Sequence, residues 1–162
     1  MTIKELYEKY GDVELTEEQV KQIKEYLGLK NEKWEPYIDE TYYYAGNGKV
    51  GTHFFKNDSI DAYKFFTNNC FKTKEEAEFR LEQIKVYNEL KNFADENNEE
   101  VDWNIECKYH IGLNYDNNSL NVFENFSFKY IGQIYFSSKE LAQQAIAKVG
   151  ADRIKKYLCG VD

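Results

Sequence analysis

The sequence predicts an α+β fold: two tandem strand–strand–(strand)–helix repeats forming an antiparallel sheet packed by two long helices, plus an N-terminal helical appendage. Three observations predict it. Gly46-Asn47-Gly48 is a turn signal between two stretches rich in β-forming residues. Thr73 and Glu76 open a long capped helix. Phe71-Lys72-Thr73-Lys74-Glu75-Glu76-Ala77 aligns, at a constant offset, with Phe136-Ser137-Ser138-Lys139-Glu140-Leu141-Ala142.

The elements follow in order. Thr2 with Glu5, and Thr16 with Gln19, are capping boxes, so residues 1–30 read as a helical appendage. Val20, Ile23 and Leu27 recur at helical spacing, and Gly28 stands where a helix ends. Residues 34–97 form a first sheet–helix half. In it, Glu40 to Ala45 and Lys49 to Phe55 make a hairpin, and Asn57-Asp58-Ser59 breaks it. The aromatic stretch from Asp61 to Phe71 is read as one more strand. The helix from Thr73 to about Glu96 carries two apolar stripes. Ala77, Leu81 and Ile84 lie on one side; Phe79, Val86, Leu90 and Phe93 lie nearly opposite. A helix apolar on two sides needs two covers. The sheet supplies one, and the N-terminal helices or a second subunit the other, so Phe79, Val86 and Phe93 form a candidate interface stripe.

Residues 101–162 form the second half. Ile105 to Tyr115, Leu120 to Phe126 and Phe128 to Phe136 read as strands, with Asp116-Asn117-Asn118 as a turn. Ser137 and Ser138 precede a helix with Leu141, Ala145 and Val149 inward, and Gly150 interrupts it before a final turn from Asp152 to Leu158. The two halves extend the offset match to Leu81 with Ile146 and Ile84 with Val149. Residues 34–162 are expected to share one core, since each half covers one apolar sheet face with its own helix.

Charge narrows function. With 29 acidic and 21 basic side chains the formal net charge is −8. Binding to nucleic acid draws on Lys and Arg, so direct contact with DNA, RNA or an anionic membrane is a poor fit. A basic protein surface is a better one. No apolar run approaches the roughly 20 residues that span a bilayer. Met1-Thr2-Ile3-Lys4-Glu5 lacks the layout of a signal peptide. The expectation is a cytoplasmic protein whose Cys70, Cys107 and Cys159 are free thiols.

No catalytic motif, cofactor motif or metal motif stands out. Cys107-x-x-His110 falls in a predicted strand, where residues three apart face opposite ways, and no second ligand pair accompanies it. A phosphate loop, a His-Glu-x-x-His helix and a Gly-x-Ser-x-Gly elbow are all lacking. Two charged features remain. Asp95, Glu96, Glu99, Glu100, Asp102 and Glu106 form either a solvated loop or an acidic patch that imitates phosphates for a basic partner. Lys148, Arg153, Lys155 and Lys156 suit the C-terminal end of a helix dipole.

The chain resembles a group of small phage and prophage proteins of low-GC bacteria. The resemblance rests on Glu5 to Gln19, Trp34-Glu35-Pro36, Phe71 to Glu78, Asp102-Trp103, Lys108-Tyr109, Ile134 to Ser138 and Asp152 to Tyr157. It implies a bacterial host cytoplasm and an anti-defence role. The expected function is a non-enzymatic inhibitor, such as an anti-CRISPR protein. Its protein partner would be a host CRISPR-Cas effector or another nucleic-acid-handling complex, with a homodimer as a further arrangement. The alternative is a nucleic-acid-binding accessory protein of phage replication or recombination, using Tyr-bearing strands and the basic C-terminal turn. A third reading places an enzyme site around Cys70, Cys107 or His110.

Overall fold

Asn47 and Gly48 both adopt positive φ, 51° and 75°, the geometry of a two-residue turn whose twist suits flanking strands. They join β1 (Thr41–Gly46) to β2 (Lys49–Phe54) in an antiparallel hairpin, with Tyr42 opposite His53 and Tyr44 opposite Gly51. The computed structural model describes residues 34–100, 107–126, 128 and 130–161. The predicted helices after Thr2 and Thr16 lie outside these residues, as do Asp102, Trp103 and Glu106. The chain divides into two compact units, Met1–Glu35 and Pro36–Asp162, and the architecture below is that of the second. It is α+β.

After β2 comes α1 (Ser59–Phe66). The strand expected from Asp61 to Phe71 is therefore a helix over most of its length. The reason is a capping box built from two aspartates. Asp58 Oδ1 accepts from the amides of Ile60 and Asp61 at 2.8 and 3.0 Å, and Asp61 Oδ2 accepts from the Asp58 amide at 3.2 Å. Tyr and Phe alone do not decide between helix and strand; the satisfied first-turn amides do.

The next helix, α2 (Lys74–Asn97), starts at the expected box of Thr73 and Glu76. The second hairpin pairs β3 (Lys108–Asn114) with β4 (Ser119–Asn125). The strand expected over Phe128 to Phe136 shrinks to a single bridge. Phe136 exchanges both backbone bonds with Tyr109 at 2.8 and 3.1 Å, as Phe71 does with Tyr43 at 2.9 Å each way. Each phenylalanine is followed by a Thr or Ser helix cap. The last helices are α3 (Lys139–Val149), capped by Ser138, and α4 (Ala151–Ile154), which runs into a π-helical turn (Lys155–Cys159). Gly150, at φ 99°, separates α3 from α4.

Among the described residues the hairpins form two separate two-stranded sheets, not the single sheet expected. The outer edge of β1 is taken by Phe71 and that of β3 by Phe136, so neither is open to the other hairpin. What joins the halves is α2. Ala77 is fully buried at its start, where α2 lies against β1 and β2. Val86, nine positions on and half a turn round at about 100° per residue, belongs to a core with Leu90, Phe93, Ala94, Phe136, Ala142, Ala145, Val149 and Ile154.

The expected two-sided helix is thus present, but its second cover comes from within the same unit. Val86 and Phe93 are core residues, which corrects their assignment to an interface stripe. Phe79 remains partly exposed, its ring 5.1 Å from that of Tyr157. On the other stripe Ala77 is buried while Ile84 is partly exposed. Arg153 clamps α4 to α2 through two bonds to Glu89 at 2.9 and 3.0 Å. Among the described residues no helix is long and apolar enough to cross a membrane.

Candidate functional site

Asp61 is a carboxylate with 2% of its surface exposed, at the third position of α1. A buried charge persists only when hydrogen-bonded. Oδ1 accepts from the Tyr42 hydroxyl at 2.8 Å, and Oδ2 from the amides of Lys56 at 2.7 Å and Asp58 at 3.2 Å. Burial opposes ionisation, but these donors, Tyr42 foremost, outweigh it and hold the carboxyl below its ordinary value. Burial, and next the bond to Asp61, push the Tyr42 hydroxyl far above its usual range.

His53 enters the network from β2, directly across from Tyr42. Its ring meets the Tyr42 ring edge-on at 5.7 Å. Nε2 lies 3.7 Å from Asp61 Oδ1, shut off from solvent and without a hydrogen-bond partner. His53, Asp58 and Asp61 bring one ligand atom each to within 4.8 Å of one another. Lys64, one turn along α1, lays its Nζ 3.5 Å from the centre of the Tyr44 ring and 5.3 Å from that of Tyr42.

This network holds α1 by its inner face and leaves the outer one in solvent. Ile60, Tyr63 and Phe66, three residues apart, are 51%, 68% and 89% exposed. Tyr37, Ile38 and Phe54 are exposed as well, where the Asp39 amide bonds the Phe55 carbonyl at 2.8 Å.

The second hairpin separates the residues considered for chemistry. The Cys107 thiol donates to Glu124 Oε1 at 3.0 Å, and the Tyr109 hydroxyl to the same oxygen at 3.2 Å. Tyr109 is pushed up to about 12 by its bonds to Cys107 and then Glu124. Burial, then Glu124, raises the Cys107 thiol, and burial raises that of Cys159, so both are turned away from the thiolate form a nucleophile needs. His110 instead stacks on Phe123 at 5.7 Å with the rings of Tyr135 and Tyr130 edge-on at 5.9 and 6.4 Å. Cys70 is buried. Cys107 and His110 thus turn to different partners, as strand alternation leads one to expect.

Of the acidic stretch, Asp95, Glu96, Glu99 and Glu100 are exposed at and beyond the end of α2, and Asp102 and Glu106 lie outside the described residues. Asp95 pairs with Lys91. The basic C-terminal residues are engaged locally. Arg153 reaches Glu89 and Glu82, Lys155 reaches Asp152 at 3.4 Å, and Lys148 lies over the Phe93 ring.

No family model, curated protein or solved structure matches this chain. The site is thus defined by its own geometry. Sequence reading missed its members: Tyr42, His53, Asp61 and the outer face of α1. The signal was there, in Asp58-x-x-Asp61 overlapped by Ile60, Tyr63 and Phe66, three residues apart.

Proposed function

We propose that this chain works by binding a protein, and that α1 presents the contact face. The observation that carries the reading is the exposed row Ile60, Tyr63 and Phe66 on a capped helix tied back to β1 through Asp61 and Tyr42. Large aromatic groups in solvent on a fixed element are what a partner's apolar groove takes up, at helical spacing. The formal charge of −8 favours a groove with a basic rim.

The end of α2 supports the acidic side of this reading. Its last turn carries Asp95 and Glu96 and no basic residue, the arrangement a helix dipole disfavours. Glu96, Glu99 and Glu100 stand exposed there and can attract a basic surface. Together with the resemblance to phage proteins, this makes a CRISPR-Cas effector or a similar nucleic-acid-handling defence complex the partner class to test first, with inhibition by occupation of its nucleic-acid channel as the mechanism. The local pairing of Arg153, Lys148 and Lys155 leaves the nucleic-acid-binding alternative with less support.

The test is co-purification of the tagged chain with host effectors, read by mass spectrometry, followed by binding of each candidate in vitro. Tyr63→Ala with Phe66→Ala should weaken binding by at least about tenfold, as loss of aromatic anchors does, while leaving the circular dichroism spectrum unchanged. Full-strength binding by that variant, or capture of no effector alongside salt-sensitive shifts of free DNA, would overturn the proposal.

A further inference from the structure

We propose that His53, Asp58 and Asp61 form a binding site for a divalent transition-metal ion of the Zn2+ and Mn2+ class at the start of α1. Imidazole nitrogen and carboxylate oxygen are ligands such ions accept. Each residue keeps a lone pair for it. Asp58 spends Oδ1 on the helix cap, which leaves Oδ2. Asp61 Oδ1 accepts one bond, from Tyr42. His53 Nε2 makes no hydrogen bond and is sealed from water 3.7 Å from Asp61 Oδ1, an ion-pair distance when the ring carries a proton; with Nε2 deprotonated, its lone pair is available to an ion. Unlike the buried Nδ1 of His110, which faces aromatic rings, this nitrogen faces two carboxylates, and an ion bound between them would pair all three groups.

The surroundings fit. The Tyr42 hydroxyl and two amides orient Asp61, the kind of outer support that fixes metal ligands. Ligand atoms around an ion at about 2.1 Å stand about 3.4 Å apart in a tetrahedron, so the present 4.8 Å spread must close. His53, partly exposed, is the member that must shift; Asp58 is tethered by its cap bonds and Asp61 by its three donors. The α1 dipole opposes a cation with a partial charge of about +0.5, and two carboxylates outweigh it. Water would complete the coordination.

The chain has two histidines, which makes the test direct. Mn2+ alone is titrated into the full chain and the imidazole proton resonances are followed by NMR, with His53→Ala for assignment. His53 signals should broaden at substoichiometric Mn2+ while those of His110 stay sharp. Asp58→Asn keeps the capping oxygen and removes the charge; it should need about tenfold more Mn2+. Equal broadening of both histidines, no broadening up to millimolar Mn2+, or an unchanged titration in Asp58→Asn would overturn the proposal.

Discussion

His110 spends its imidazole as an aromatic ring. It sits among Phe123, Tyr130 and Tyr135 with Nδ1 buried and unpartnered. Burial lowers its pKa from the ordinary 6.5. In the unfolded chain the same ring takes a proton near its ordinary value. The unfolded state therefore binds more protons between the two values, and stability rises with pH across that window. The stabilisation is present above about pH 6.5 and is lost as pH falls toward the folded value. The thermal midpoint should thus drop between pH 7.5 and 5.5, and His110→Phe should drop less. An identical pH dependence in the two proteins would show that His110 titrates freely. That Cys107 and His110 turn to different faces, toward Glu124 and Phe123, was legible from strand alternation alone. That His53 would meet Asp61 was not, because β2 and α1 come together only through the turn between them.

At the scale of elements, the outer edge of β1 is closed without a full strand. Tyr43 pairs with Phe71, and Asn69 bonds both backbone groups of Ala45, accepting its amide at 2.8 Å and donating to its carbonyl at 2.7 Å. In the second half Asn98 instead braces the bridging segment itself, donating to the Tyr135 carbonyl and accepting the Ser137 amide on either side of Phe136. Asn69→Ala strips two polar groups of a residue only 5% exposed, and should cost about 1–3 kcal/mol. Urea denaturation measures the loss, and faster exchange of the Ala45 amide would locate it. This is why the third strand was overread in both halves. Aromatic runs favour strands, yet a single bridge takes each edge, helped by Asn69 on β1 and by Asn98 bracing the Phe136 segment. The helix starts at Thr73 and Ser138 were legible because their caps are local. The start of α1 was equally local, and was missed because its box uses aspartate at both ends.

For the whole Pro36–Asp162 unit, α2 is the shared wall. By sequence it closes the first half, yet most of its buried residues pack with Phe136, α3 and Ile154 from the second. Phe136 is fully buried in that core and also bridges to Tyr109. Phe136→Ala should cost about 3–5 kcal/mol. Because α2 also contacts β1 and β2, both hairpins should lose hydrogen-exchange protection together. Retained protection of β1 and β2 in that variant would mean the halves unfold separately.

The sequence by itself determined the α+β class, both hairpin turns, the two capped helices after Phe71 and Phe136, and the two apolar sides of α2. All of these rest on contacts within a few residues or on periodicity, which the order of residues carries directly. Tertiary structure decided which surface is spent. It buried Val86 and Phe93 against the second half, leaving the outer face of α1 exposed. It kept the hairpins as separate sheets and assembled Tyr42, His53, Asp58 and Asp61 around one buried carboxylate. Those outcomes depend on which distant faces exclude water together, and no local pattern in the chain encodes that choice.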